Sequence, residues 1–279
     1  MSFQSPPDPP AWPGAGPSTP VEPNVLHGSP VPGDAAPPPK RRSRAMIVGG
    51  IAILAGLIGS VGGKILIGLL AANVAGAALS SVFGGPFDKL PGDVKDGFEK
   101  RLETAIGNRL DGKSDSEKEA QVTAWLRSGF SRLNDASLVR HLELEVEGLN
   151  KTDVGGCASF GRASIGGQPI SSDTSNKIVG ALDQLRIAEF LDLNITAIEA
   201  ELRGSPAAVH VTAAQTSTAF ETMIGGLGGP ELRTLQNMTS GTSATDAEVC
   251  TAIRGLYREA LELDPAGKAL VARFDVDPG

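Results

Sequence analysis

An all-α fold is predicted by two features of the C-terminal two-thirds of this chain. Apolar side chains recur there at four-residue spacing, and two Ser/Thr-x-x-Glu signatures mark helix starts. A third feature, an uncharged run behind four cations, adds one transmembrane helix ahead of that helical bundle. The expected boundaries are a disordered arm over 1–39, a basic flank over 40–44, a transmembrane helix over 45–63, an apolar small-residue segment over 64–87 and a helical domain over 93–279.

Thirteen of the 20 prolines fall in residues 1–39, among few branched apolar side chains. Such a chain cannot bury enough surface to offset its ordering entropy, so a disordered arm with polyproline-II stretches is expected. Pro6-Pro7-Asp8-Pro9-Pro10, with Trp12 beside it, offers a PxxP pattern to an aromatic groove. A solvated spacer is the simpler reading.

Lys40, Arg41, Arg42 and Arg44 precede 19 uncharged residues, Ala45 to Gly63. At 1.5 Å rise per residue these match the ~30 Å of hydrocarbon a helix must cross. The cations should stay cytoplasmic, which directs the chain outward. Beyond Lys64, Gly68, Ala72, Gly76, Ser80 and Gly84 form a row that would let another helix approach closely. Three topologies fit. In the one preferred, a single span ends at Lys64 and the second apolar stretch lies at the interface or packs in an oligomer. In a hairpin, Gly62-Gly63-Lys64 turns the chain, and Lys89, Lys95, Lys100 and Arg101 supply a second basic flank. Cleavage at Ala75-Gly76-Ala77 would make the region an export signal, but its leading region is then far too long.

The helical domain begins with Val94, Phe98, Leu102, Ile106 and Leu110, stepping by four, and Gly112 can close that helix. Ser114 to Glu117 is a capping box before Val122, Leu126, Phe130 and Leu133. In the next segment, His141, Glu143, Glu145 and Glu147 alternate with Leu142, Leu144 and Val146, which also suits a strand. Leu and Glu favour a helix, on which these polar residues should spread around the cylinder. Residues 151–171, rich in Gly and Ser, read as a loop. One helical pattern then carries Ile178, Leu182 and Leu185, followed by Leu191, Ile195, Ile198 and Leu202, and stops at Gly204. Further helices are expected from about 207 to 224, after a second capping box at Thr245 to Glu248, and from 266 to about 274.

Residues 85–279 contain 20 Lys and Arg against 29 Asp and Glu, a poor balance for phosphate-backbone contacts, so nucleic acid is excluded as a partner. The only two cysteines, Cys157 and Cys250, suggest one disulfide if the domain stands outside the cytoplasm; two buried thiols are the alternative. The bond would close a long loop, a tie worth up to about 4–5 kcal/mol. No metal or cofactor motif is present, and neither His141 nor His210 has metal-ligand spacing. Gly161 to Ser164 misses the GxSxG elbow, so a Ser164–His210 pair is a chance combination.

These readings predict a membrane-anchored envelope protein of bacterial type. Its partners would be other proteins or copies of itself, and no catalytic set is expected. An envelope hydrolase with a site near 151–171 is the first alternative. A cytoplasm-facing domain on a glycine-rich hairpin is the second.

Overall fold

The computed structural model describes residues 85–168 and 170–276, and all regular structure among them is helical. The proline-rich arm, the flank Lys40, Arg41, Arg42 and Arg44, the run 45–63 and the row Gly68, Ala72, Gly76, Ser80 and Gly84 lie outside the described residues. Among the described residues no helix is long and apolar enough to cross a membrane.

A helical turn over 85–88 leads into ten helices. These are α1 (Gly92–Ile106), α2 (Asp115–Phe130), α3 (Asp135–Lys151), α4 (Val154–Ile165), α5 (Ser172–Gly180), α6 (Gln184–Arg203), α7 (Ala213–Gly226), α8 (Gly229–Thr239), α9 (Asp246–Glu262) and α10 (Pro265–Val276). One group packs α1 and α2 on α6, and the other packs α4 and α8 on α9. The helix α3 joins them, touching α6 on one side and α9 and α10 on the other. Phe87, Phe130, Phe160, Phe190, Phe220 and Phe274 fill the interior, so the core already takes in a residue ahead of α1.

Both expected capping boxes form. The Ser114 N–H donates to Glu117 Oε2 at 2.8 Å, and the Thr245 N–H donates to Glu248 Oε2 at 2.8 Å. The ambiguous segment is the helix α3, opened by Asn134, whose side chain accepts the Ser137 N–H at 2.8 Å. Nearly every face of α3 is covered, which explains its mixed pattern: Leu138, Leu142, Leu144, Val146 and Leu149 are all buried.

Three expectations are corrected. Residues 151–171 are not a loop, because α4 occupies most of them behind the cap Asp153, which accepts the Gly156 N–H at 2.6 Å. Its glycines lower helix propensity, but Gly161 permits the close crossing of α4 and α9. A methyl at Gly161 would overlap the Ile253 side chain and reach Val249 at 3.0 Å. The single pattern over 172–204 is broken at Asp183, which caps α6 by accepting the Arg186 N–H at 2.9 Å. That break leaves Leu185 74 % exposed instead of on the inward stripe. Finally, α7 starts at Ala213, not 207. Thr212 and Gln215 form its capping box, while Val209 donates its N–H to Ser131 O at 2.8 Å in the connection before it.

Candidate functional site

The cysteines that sequence singled out are brought together. Cys157 on α4 and Cys250 on α9 are paired with an S–S separation of 2.17 Å, and both are buried at the crossing of the two helices. Each sits just inside a capped first turn, because Asp153 caps α4 and Thr245 caps α9. The caps set the start of each helix, and thereby aim both sulfurs at one another.

Ser164 and His210 do not form a reactive pair. Ser164 is buried on α4 and its Oγ has no hydrogen-bond partner among the described residues, whereas His210 lies on the exposed connection between α6 and α7. A serine nucleophile needs a base within hydrogen-bond reach, and among the described residues this one has none.

A buried cluster of titratable groups was not visible in the sequence. On α3, His141 and Glu145 are four residues apart and therefore share one helix face, and that face is turned into the core. This corrects the expectation that the polar residues of this segment do not converge. His141 Nδ1 lies 3.8 Å from Glu145 Oε1, too far for a hydrogen bond. The imidazole is held between rings. Phe130 of α2 meets it edge-on at 4.7 Å between centroids, and Phe190 of α6 stacks on it at 5.0 Å. Asp275 of α10 interacts with Glu145, and Tyr257 of α9 donates its hydroxyl to Asp275 Oδ1 at 3.4 Å.

Burial dominates the electrostatics. It lowers His141 to about 3, so the ring is neutral. Burial first, and then the Asp275 charge, push Glu145 well above the usual carboxylate range. Burial also raises Asp275 to about 6, against the pull of its interactions with Glu145 and Tyr257. Among the described residues the Glu145 oxygens find no hydrogen bond of ordinary geometry. All four side chains are 6 % exposed or less. A general acid or base must reach the proton it transfers, and this cluster opens onto no substrate. Its chemistry is linkage between protonation and folding.

The signs follow from the direction in which each group moves. His141 is lowered, so its contribution to stability is present above about pH 6.5 and lost as pH falls toward about 3. Glu145 and Asp275 are raised, so their contribution is present below about pH 4 and lost as pH rises, through about 6 for Asp275. Replacing Asp275→Asn removes the second loss. Each tenfold change in proton affinity is worth about 1.4 kcal/mol, so relative to the parent the variant should gain roughly 3 kcal/mol between pH 4 and pH 7. Urea unfolding of both proteins across that range checks it. A difference between them that does not change with pH would refute the linkage.

Comparison of the chain with protein-family models, with curated proteins and with solved structures finds no match.

Proposed function

We propose that this chain is a membrane-anchored protein of a bacterial envelope, with its helical domain outside the cytoplasm. The domain acts by binding another protein or further copies of itself, and carries no reaction centre. The observation that carries this reading is the buried Cys157–Cys250 pair, which joins two packed helices across 93 residues of sequence. Structural disulfides persist in oxidising compartments, and the cations at 40–44 followed by an uncharged run orient a chain in the same direction. The sealing of His141, Glu145, Tyr257 and Asp275 supports binding over catalysis, since these buried, perturbed groups have no access to a substrate. If the apolar segment is helical, the row Gly68, Ala72, Gly76, Ser80 and Gly84 would offer a surface for self-association.

Fusion of alkaline phosphatase after Gly279, beside a parallel fluorescent-protein fusion, tests the topology. Phosphatase activity without fluorescence is expected, together with cysteines that resist alkylation until a reductant is added. Fluorescence without phosphatase activity would instead favour a hairpin turned at Lys64 and a cytoplasmic domain.

A further inference from the structure

The helix α1 packs on α6, and beside their contact lies a cleft of about 490 Å³. Lys100, Arg101, Arg109 and Arg203 line it, against one lining carboxylate, Glu199. In a domain with 29 acidic and 20 basic side chains over 85–279, that local excess of cations is unusual.

The four cations are not equivalent. Arg101 is fixed: its Nε and Nη2 bond the two Glu199 oxygens at 3.2 and 3.1 Å, its Nη1 pairs with Asp192, and Nη2 also reaches Thr196 Oγ1 at 3.4 Å. Glu199 is thereby neutralised, and Arg203 approaches it only at 3.8 Å. Arg109 is held by backbone, donating from Nη1 to Ala105 O at 3.0 Å and Ile106 O at 3.2 Å, with no carboxylate partner among the described residues. This places a guanidinium at the C-terminal end of α1, where the helix dipole favours a cation. The Lys100 ammonium has no ion-pair partner among the described residues. On the α1 side of the cleft, a Cβ added at Gly97 would meet nothing within 4 Å, which leaves room for a ligand there.

We propose that this cleft binds a phosphate-bearing anion through Lys100, Arg109 and Arg203, with Arg101 as the fixed strut that holds Glu199 out of competition. Guanidinium and ammonium donors converging on one space match the several acceptor oxygens of a phosphate group. The volume is that of a small-ligand site. Position favours a lipid headgroup as the source. Phe87 is already buried and Lys89 Nζ bonds Gly180 O, so the folded domain begins at the last residues of the apolar segment 64–87. Resting on the membrane-anchor reading, this puts α1 near the headgroup zone, which extends about 5–8 Å beyond each side of the hydrocarbon. A soluble phosphate ester offers the same chemistry.

The test uses the full chain in a non-ionic detergent, with binding of phosphatidylglycerol, phosphatidylcholine and inorganic phosphate read by native mass spectrometry and calorimetry. Phosphatidylglycerol should bind at least tenfold more tightly than phosphatidylcholine, and the double variant Lys100→Glu, Arg109→Gln should lose that preference. Inorganic phosphate that binds alone and is lost in the same variant would also support the cleft, and would identify a soluble source. Overturning results are binding unchanged in the double variant, no binding of either phosphate ligand, or an equal loss in Lys268→Glu on α10, which would reflect net charge alone. Alkaline extraction of membranes separates the two readings. Wild-type protein released to the supernatant defeats the anchor, and the cleft is then judged on inorganic phosphate.

Discussion

Replacing Gly129→Ala should cost about 3 kcal/mol or more, enough to leave a domain of ordinary stability partly unfolded at ambient temperature. Gly129 is the penultimate residue of α2 and sits where that helix crosses α6. A methyl there would overlap the carbonyl oxygen of Ala197, and its carbonyl carbon and Cα lie close behind. The obstruction is backbone in the middle of a helix, so no rotamer change relieves it; α2 must move away from α6. The neighbouring residue is Phe130, whose ring holds His141 from one side, so displacement would open the core next to a buried imidazole. The same substitution at Gly97 gives the control. Gly97 lies inside α1 with nothing within 4 Å of a new Cβ. There the higher helix propensity of alanine should raise stability, by up to about 1 kcal/mol. Urea titrations of the two variants side by side should show opposite signs; two losses of similar size would mean that the α2–α6 crossing is not what constrains Gly129.

The second large effect is expected from the disulfide. Replacing both cysteines by alanine should cost about 4–5 kcal/mol on the chain-entropy account of a loop this long. The loop spans 93 residues. It encloses α5 through α8, so its removal frees a large part of the unfolded chain. Two features separate loss of the bond from loss of two buried side chains. Each single replacement should cost nearly as much as the double one, because either abolishes the tie, and the effects are therefore non-additive. The slope of stability against urea should also rise, since the untied unfolded chain exposes more surface. Additive single effects with an unchanged slope would mean that the two sulfurs matter only as packing atoms.

Local chemistry made most helix starts legible. Asp and Glu near an N-terminus, and Ser or Thr three residues ahead of Glu, act within one turn, so the boxes at Ser114 and Thr245 are visible in a dozen letters. The same signal was present at Thr212 and Gln215, and at Asp153 and Asp183 as single caps, where surrounding glycine or a continuous apolar stripe masked it. The glycines of α4 were the strongest misdirection. Their low intrinsic propensity is a local property, whereas the benefit of Gly161 comes from Ile253, 92 residues on, through a contact that no local window contains.

By itself the sequence determined the helical class, the four-residue stripes, the capped ends and the two cysteines available for pairing, because each rests on interactions within a few residues. Only the tertiary structure decided which glycines are crossing points, that His141 turns inward between Phe130 and Phe190 and Glu145 toward Asp275 and Tyr257, and that four cations from α1, the segment after it and α6 border one cleft. Those outcomes depend on which helices become neighbours. That choice is made by burial summed over the whole core, where one residue's polarity or propensity is outweighed by the packing of many others.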